Sequence, residues 1–186
     1  MDLHTHSLAA GHAYSTLLEN IDAALAVGIR YLGMSEHGPI SPGGPHEFFF
    51  SNYKVIPREY DREEISGRVV PVTGGRLHLL CGVEANICDT DGKLDLEERY
   101  LQKIDYALAS IHPFAFTAGS RKENTLASVR AFQNPYVKIL GHPDDGRFPL
   151  DYEELVREAK QAHVALEVNN SSLNPRSSRG AAGKIS

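Results

Sequence analysis

The chain has 186 residues, which suffice for one domain but fall short of the roughly 250 residues of a closed (β/α)₈ barrel. Its net charge of −5 argues against a surface dedicated to nucleic acid, and 41% hydrophobic with 23% charged residues is typical of a globular protein. The sequence shows no apolar run long enough for a membrane span, no signal-peptide pattern, and two cysteines, a content that suits a reducing compartment. We therefore expect a single domain over residues 1–186 and a cytoplasmic location.

Short apolar runs alternate with amphipathic stretches along the chain. The predicted strands are a short run around Leu3, then residues 31–34, 77–83, 105–111, 137–140 and 164–168. The predicted helices are residues 17–27, 96–104, 125–132 and 152–162. Strands that alternate with helices predict parallel βαβ units with right-handed crossovers. We therefore expect an α/β fold, either an incomplete barrel or a doubly wound sheet.

Local signals define some of these elements better than others. The helix over 17–27 has apolar residues at helical spacing, a cap candidate in Thr16 and a stop signal in Gly28. By contrast, residues 48–75 form an insertion of uncertain structure, in which residues 58–65 could be a short helix.

The carboxyl end of every predicted strand carries a histidine or an acid. In chain order these residues are His4, His6, Glu36, His37, Glu84, His112, His142 and Glu167. Because the carboxyl ends of parallel strands lie at one rim, where ligands and catalytic groups collect, we expect these side chains to converge. Three other histidines stand apart from this pattern, since His78 and His163 open strands and His46 lies in a loop.

The histidines and the glutamate suit a metal site. His4 and His6 alternate, so that both side chains of an extended segment point the same way and can reach one ion. Neutral imidazole suits zinc, manganese, iron or nickel, and the carboxylate of Glu84 can bridge two ions. His112 and His142 each precede a proline, which favours an extended backbone at the strand end.

Each of these residues taken alone also fits an ordinary structural role. An isolated His37 could form a hydrogen bond beneath a loop, and Glu84 could pair with an arginine. His12, in the first loop, could be solvated or could fold back to the rim beside His37. The complete set of strand-end residues makes a metal site the favoured hypothesis.

Further polar residues near the rim could support the site. Glu36, Asp144, Asp145 and Glu167 could orient a ligand through a hydrogen bond, although solvated loop acids are the simpler interpretation of Asp144 and Asp145. Residues 169–172, followed by Arg176 and Arg179, could line a phosphate pocket, because arginine binds phosphate in a bidentate manner. A polar tail is the alternative interpretation.

Seven segments together resemble a known family. They are residues 2–6, 11–16, 36–39, 82–86, 111–112, 141–143 and 166–172. Their order resembles the polymerase-and-histidinol-phosphatase (PHP) family, most closely its YcdX-like phosphatase branch, over nearly the whole chain. The resemblance implies a distorted (β/α)₇ TIM-like barrel with a trinuclear zinc or manganese centre that hydrolyses phosphoesters.

By position in these motifs, the resemblance also implies ligand sets and roles. His4, His6 and Glu84 would hold the first metal, Glu84, His112 and His142 the second, and His12 and His37 the third. The metals would convert a bound water to hydroxide near neutral pH and clamp the phosphate, with Glu84, His112 and His142 as the catalytic residues. Arg176 and Arg179 are the candidate contacts to the substrate phosphate.

One departure from the family pattern concerns the end of the chain. Family members carry an Asp-x-His pair after the last strand, which completes the first and third sites, and no such pair follows Asn170 here. We therefore expect a C-terminally incomplete barrel that lacks its last strand–helix unit, with two or three ions bound and the third site incomplete. An open sheet edge of this kind could be covered by association into a homo-oligomer.

Three functional hypotheses remain open from the sequence. The first is a metal-dependent phosphoesterase, a hydrolase that acts on a small-molecule phosphorylated substrate. The second is an amidohydrolase-type metal-dependent C–N hydrolase, a class that also opens with His-x-His but usually bridges its ions with a modified lysine. The third is an inactive metal-binding fragment or an accessory domain.

Overall fold

A curled parallel sheet forms the frame of the protein. The computed structural model describes residues 1–61, 75–174 and 176. The strands in these ranges are β1 (Asp2–Thr5), β2 (Tyr31–His37), β3 (Glu59–Tyr60), β4 (Leu77–Asn86), β5 (Tyr106–Ser110), β6 (Val137–Leu140) and β7 (Ala165–Leu166). Their order in the sheet is β1-β2-β4-β5-β6-β7, all parallel, and β3 pairs antiparallel with β4. The six parallel strands form half a barrel, which confirms the parallel α/β prediction and is consistent with a partial TIM-like barrel.

Helices and turns connect the parallel strands. They are α1 (Leu17–Ala26), α2 (Phe48–Ser51), α3 (Glu98–Leu101), α4 (Arg121–Ala131) and α5 (Tyr152–Ala162), with 3₁₀ turns at Leu8–Ala10 and Asn52–Val55. The predicted cap of α1 is confirmed, because the Thr16 hydroxyl accepts the Glu19 N–H while the Glu19 carboxylate accepts the Thr16 N–H at 2.7 Å. No helix within the described ranges is long and apolar enough to cross a membrane.

Several predicted bounds differ from the structure. The predicted helix 96–104 is one turn, α3, because Leu94 bridges to Ile87 and Asp95 bonds to Asn86, which keeps the preceding residues extended. The predicted helix 58–65 is wrong at its start, where β3 pairs with β4 instead, and residues 62–65 lie outside the described residues.

Other bounds move by a few residues. The helix predicted from residue 125 is α4, which begins at Arg121 because Ser120 and Glu123 form a capping box. β4 extends to Asn86 beyond the predicted 83, and β7 is shorter than the predicted 164–168.

A tyrosine closes the half-barrel beneath the strand ends. The Tyr106 ring lies across β4 and β2, where Gly82 and Gly33 leave room for it, since a Cβ on Gly82 would lie 2.6 Å from the ring. The Tyr106 hydroxyl donates to the Leu3 carbonyl at 2.6 Å. Gly82 faces the same side of β4 as Glu84, two residues further on, so Tyr106 forms a floor one layer below Glu84.

Candidate metal centre

Five imidazoles surround one carboxylate at the carboxyl end of the sheet. The carboxylate is Glu84 on β4, which is only 1% exposed. Its Oε2 atom lies 3.2 Å from His4 Nε2, 3.4 Å from His6 Nε2 and 3.0 Å from His37 Nδ1, and its Oε1 atom lies 2.9 Å from His142 Nε2 and 3.4 Å from His112 Nε2. These imidazoles come from β1 and the residue just after it, from β2, and from the segments that follow β5 and β6, so the fold assembles them from residues up to 138 positions apart in the chain.

A sixth imidazole extends the cluster toward solvent. His12 is exposed, and its Nε2 lies 3.2 Å from His37 Nε2. The rings of His6 and His37 stack at 4.6 Å between centroids, and the His12 ring lies 5.1 Å from that of His6. The structure thus brings His12 to the rim beside His37, the position that the sequence offered as one alternative.

Three overlapping groups in the cluster have the geometry to hold a metal ion. They are His4, His6 and Glu84; His37, Glu84 and His112; and His6, His12 and His37. Within each group the ligand atoms lie within 4.8 Å of one another. Because Glu84 belongs to two groups, and His6 and His37 each to two, any ions bound here would share ligands.

Buried polar atoms without partners show that the cluster is suited to a cation. Within the described residues, four buried atoms of the cluster form no hydrogen bond of regular geometry, although the last two lie 3.0 Å apart: His6 Nδ1, His112 Nε2, His37 Nδ1 and Glu84 Oε2. Burial of such an atom without a partner costs about 1–3 kcal/mol, so proteins rarely retain several together. A divalent cation would satisfy imidazole nitrogens and a carboxylate oxygen at once, and this donor set suits zinc or manganese. The residues therefore fit a metal ion.

The electrostatics of the cluster centre on Glu84. Burial alone would raise the pKa of Glu84, but its contacts with the surrounding imidazoles outweigh burial and hold that pKa well below its usual range. For His4, burial lowers the pKa, yet hydrogen bonds to Glu167 and Glu84 raise it to about 10. Burial dominates at His112 and lowers its pKa. The surrounding imidazoles therefore favour the anionic form of Glu84.

The Glu167 carboxylate contacts two histidines of the cluster. Its Oε1 lies 2.7 Å from His4 Nδ1, and its Oε2 accepts the backbone N–H of His142 at 2.6 Å. A carboxylate next to Nδ1 places the proton on that nitrogen, which leaves Nε2 of His4 directed at Glu84. Glu167 therefore occupies the supporting position that the sequence suggested for it.

The side chains of the other three candidate acids form hydrogen bonds with groups other than histidine rings. Glu36 is buried and accepts both the backbone N–H and the hydroxyl of Ser7, so it holds the segment after His6 rather than a histidine ring. Asp145 pairs with Arg147, whose Nη2 lies 2.6 Å from Asp145 Oδ2.

The loop after β7 is connected to the rim through Asp144. Its carboxylate accepts the Ser172 hydroxyl at 3.0 Å, which joins residues 169–172 to the segment after β6. Arg176, a candidate phosphate contact, is exposed, and Arg179 lies outside the described residues.

His142 has an uncommon backbone conformation. Its φ of 30° lies in the left-handed region, which non-glycine residues seldom adopt. Gly141 precedes it, and a Cβ there would lie 2.2 Å from Ser110 Oγ. Strained conformations of this kind persist where the surroundings over-determine them, often at functional sites. Here the hydrogen bond that the His142 N–H donates to Glu167 holds the backbone conformation in which the ring contacts Glu84.

The remaining histidines have separate surroundings. His78 Nδ1 lies 3.7 Å from a Glu59 oxygen, His46 Nδ1 accepts the Phe48 N–H, and His163 ends α5.

One supporting residue was not singled out by strand-end reasoning. Asn86 Oδ1 lies 2.7 Å from His112 Nδ1, and Asn86 is fully buried. Asn86 lies two residues after Glu84 on the same face of β4, and this spacing could have identified it. The predicted strand ended at residue 83, so the spacing was not recognised.

Comparison with known proteins gives a consistent set of relatives. No protein-family model matches the chain. The chain is 42% identical over 173 residues to a probable phosphatase of Clostridium novyi, 43% over 174 residues to one of Caldanaerobacter subterraneus, and 41% over 174 residues to one of Clostridium acetobutylicum. These matches cover 93–94% of this chain but 63–66% of each relative, so the chain spans about 65% of their length. The chain is therefore a homologue of bacterial proteins that are named probable phosphatases.

Proposed function

We propose that this chain is a metal-dependent phosphoesterase of the PHP type that hydrolyses small-molecule phosphate esters at a multinuclear zinc or manganese centre. The observation that carries the proposal is the cluster around Glu84, in which imidazoles surround one buried carboxylate and four buried polar atoms form no regular hydrogen bond within the described residues. The names of the relatives support the reaction class.

The proposed ligand sets follow the family pattern. His4, His6 and Glu84 hold the first ion, Glu84, His112 and His142 the second, and His12 and His37 the third. The geometric group of His4, His6 and Glu84 supports the first set directly. In the structure His37 also groups with Glu84 and His112, so that His37 borders both the second and the third ion.

The charge of this donor set suits a phosphate substrate. Bound ions would supply a water of lowered pKa and would neutralise the phosphate oxygens. Glu84 is the carboxylate in direct contact with the five imidazoles, and neutral imidazoles add no negative charge. Divalent ions bound by these residues would therefore keep a net positive charge, which would attract the phosphate. Glu84, His112 and His142 are the proposed catalytic residues, and Arg176 with Arg179 the proposed phosphate contacts.

Removal of the central carboxylate tests the proposal. Purified chain loaded with zinc or manganese should hydrolyse 4-nitrophenyl phosphate, and Glu84→Ala should abolish both metal binding and hydrolysis because two ions lose a shared ligand. His78→Ala is the matched control, since His78 lies on the same strand but at its opposite end. Unchanged turnover in Glu84→Ala would contradict the proposal, as would equal losses in both variants.

A second candidate function follows from the length comparison. Because the chain spans about 65% of its relatives, it could bind metal without catalysing hydrolysis unless the rest of such a protein is present. Parallel assays of this chain and of the full-length Clostridium novyi relative, each with its metal content measured, separate the two candidates. Metal in both proteins but hydrolysis only in the longer one would favour the second.

A further inference from the structure

The side-chain amide of Asn86 contacts His112, and the other hydrogen bonds of this amide fix its orientation. Asn86 Oδ1 lies 2.7 Å from His112 Nδ1. On its other side, the Asn86 amide nitrogen donates to Asp95 Oδ2 at 2.6 Å and to Ser41 Oγ at 3.0 Å. An amide nitrogen donates and its oxygen accepts, so a nitrogen committed to Asp95 leaves the oxygen facing His112.

The fixed amide determines which nitrogen of His112 carries the proton. A carbonyl oxygen can only accept, so Nδ1 of His112 must be the donor, and the neutral ring keeps a lone pair on Nε2. That Nε2 is the buried atom without a partner, 3.4 Å from Glu84 Oε1. In the opposite tautomer the proton is on Nε2, and this nitrogen could not bind a metal ion.

Asp95 is the anchor of this arrangement. Besides the Asn86 side chain, its carboxylate accepts the Asn86 backbone N–H at 2.7 Å and the Ile40 N–H at 3.1 Å. Gly38 approaches so closely that a Cβ there would lie 2.3 Å from both carboxylate oxygens. The carboxylate therefore joins the end of β4 to the loop that follows β2.

The same loop also reaches the exposed end of the cluster. It continues from Gly38 to Gly43, which contacts Gly11, where an added Cβ would lie 2.4 Å from the Gly43 carbonyl oxygen. Gly11 directly precedes His12, whose Nε2 faces that of His37. The loop whose Ile40 N–H bonds to Asp95 therefore also packs against the residue that precedes His12.

We propose that Asn86 and Asp95 are positioning residues that fix His112 with its proton on Nδ1 and so prepare Nε2 as a metal ligand. The proposal rests on the proposed metal site and adds to it residues that touch neither the ion nor the substrate. Outer partners of metal-binding histidines are typically worth about 10- to 100-fold in metal affinity.

Two measurements on the metal-free and metal-titrated chain test the proposal. In nitrogen-15 correlation spectra of the metal-free chain, His112 should be neutral with its proton on Nδ1, and Asn86→Leu should move that proton toward Nε2. Competition between the chain and a chromophoric zinc chelator should show about a 10- to 100-fold loss of affinity in Asn86→Leu. Hydrolysis is not needed for either readout.

A matched control separates this role from general stabilisation. Asn124 is also fully buried, and its amide bonds only to the backbone of Gly119 and Pro149 in the described structure. Asn124→Leu should lower stability to urea while zinc affinity and the His112 tautomer stay unchanged. Asp95→Asn keeps the shape of the anchor but loses an acceptor, so it should shift tautomer and affinity in the same direction as Asn86→Leu by a smaller factor.

The outcomes distinguish this proposal from the proposed function. A wild-type His112 with its proton on Nε2 would overturn it, even if Asn86→Leu did not fold. A folded Asn86→Leu with zinc affinity within twofold of the wild type would overturn it as well. If the wild type has the expected tautomer and binds zinc but hydrolyses no phosphoester, the phosphoesterase proposal fails and the positioning proposal stands.

Discussion

The two ends of the half-barrel differ in how well the hydrogen-bonding capacity of their polar groups is satisfied. At the floor, the buried Tyr106 hydroxyl donates to the Leu3 carbonyl, and the more exposed Asp105 carboxylate accepts the Cys81 N–H at 2.6 Å. At the rim, four of the six buried side-chain nitrogen and oxygen atoms that lack partners in the described ranges belong to the candidate metal centre. The same strands therefore carry satisfied groups, which stabilise the fold, and unsatisfied groups, which are available to a ligand.

This contrast predicts that substitutions at the floor change stability, whereas substitutions at the rim change metal affinity. The largest effect on stability is expected where the floor touches the sheet backbone. A Cβ on Gly82 would lie 2.6 Å from the Tyr106 ring and 2.8 Å from the Tyr106 carbonyl oxygen, which cannot move without disturbing β5. Gly82→Ala should therefore lower the free energy of unfolding by about 1–3 kcal/mol, measured by urea denaturation of the metal-free chain.

A double variant sharpens this prediction. Tyr106→Ala removes the ring that Gly82→Ala would strike, so the combined loss of stability should be smaller than the sum of the single losses by at least about 0.5 kcal/mol. Additive losses would show that the close approach to the ring does not account for the effect.

A smaller effect is expected from a rim pair that is already satisfied. Burial raises the pKa of Asp145, but its hydrogen bonds with Arg147 outweigh burial and lower that pKa. A carboxylate with a depressed folded-state pKa stabilises the protein above its unfolded-state value, about 3.9 for Asp, and this contribution is lost as the pH falls through the folded-state pKa. Arg147→Gln should therefore cost at most about 1 kcal/mol at pH 7, since Arg147 is partly exposed, and less below about pH 4.

Unfolding curves at pH 7 and in acid measure this difference. An equal loss of stability at both pH values would contradict the assignment to Asp145.

The smallest effect on stability is expected at two histidines whose backbone φ is positive. His163, at the end of α5, has φ 56°, and His142, at the rim, has φ 30°. His163→Gly should raise the free energy of unfolding by about 0.5–1 kcal/mol, because glycine adopts this conformation without a Cβ penalty but loses more chain entropy on folding. His142→Gly gives the same backbone relief and should also lower zinc affinity, since the contact between His142 Nε2 and Glu84 disappears. Thermal unfolding and chelator competition on both variants test the pair, and a loss of affinity in His163→Gly would contradict it.

The sequence predicted the elements that local signals define. β6 and α5 have the predicted bounds, and α1 starts at its predicted cap, because periodicity and capping act within a few residues. The short strand β3 was missed and the helix at α3 was predicted too long, because pairing with β4 and the bonds of Asp95 override local propensity there. Glu167 and Asp95 differ in the same way, since Glu167 lies at the end of a predicted strand whereas Asp95 lies outside every predicted strand and helix.

The shared position of Glu84 has a consequence for how the centre would fill with metal. One carboxylate belongs to two of the three ligand groups, and the third group shares His6 and His37 with the other two. The first cation to arrive would reduce the negative charge available to its neighbour and would also order the rings that the neighbour needs. These opposing influences make the affinities interdependent, so the ions would bind as a coupled series rather than as independent events.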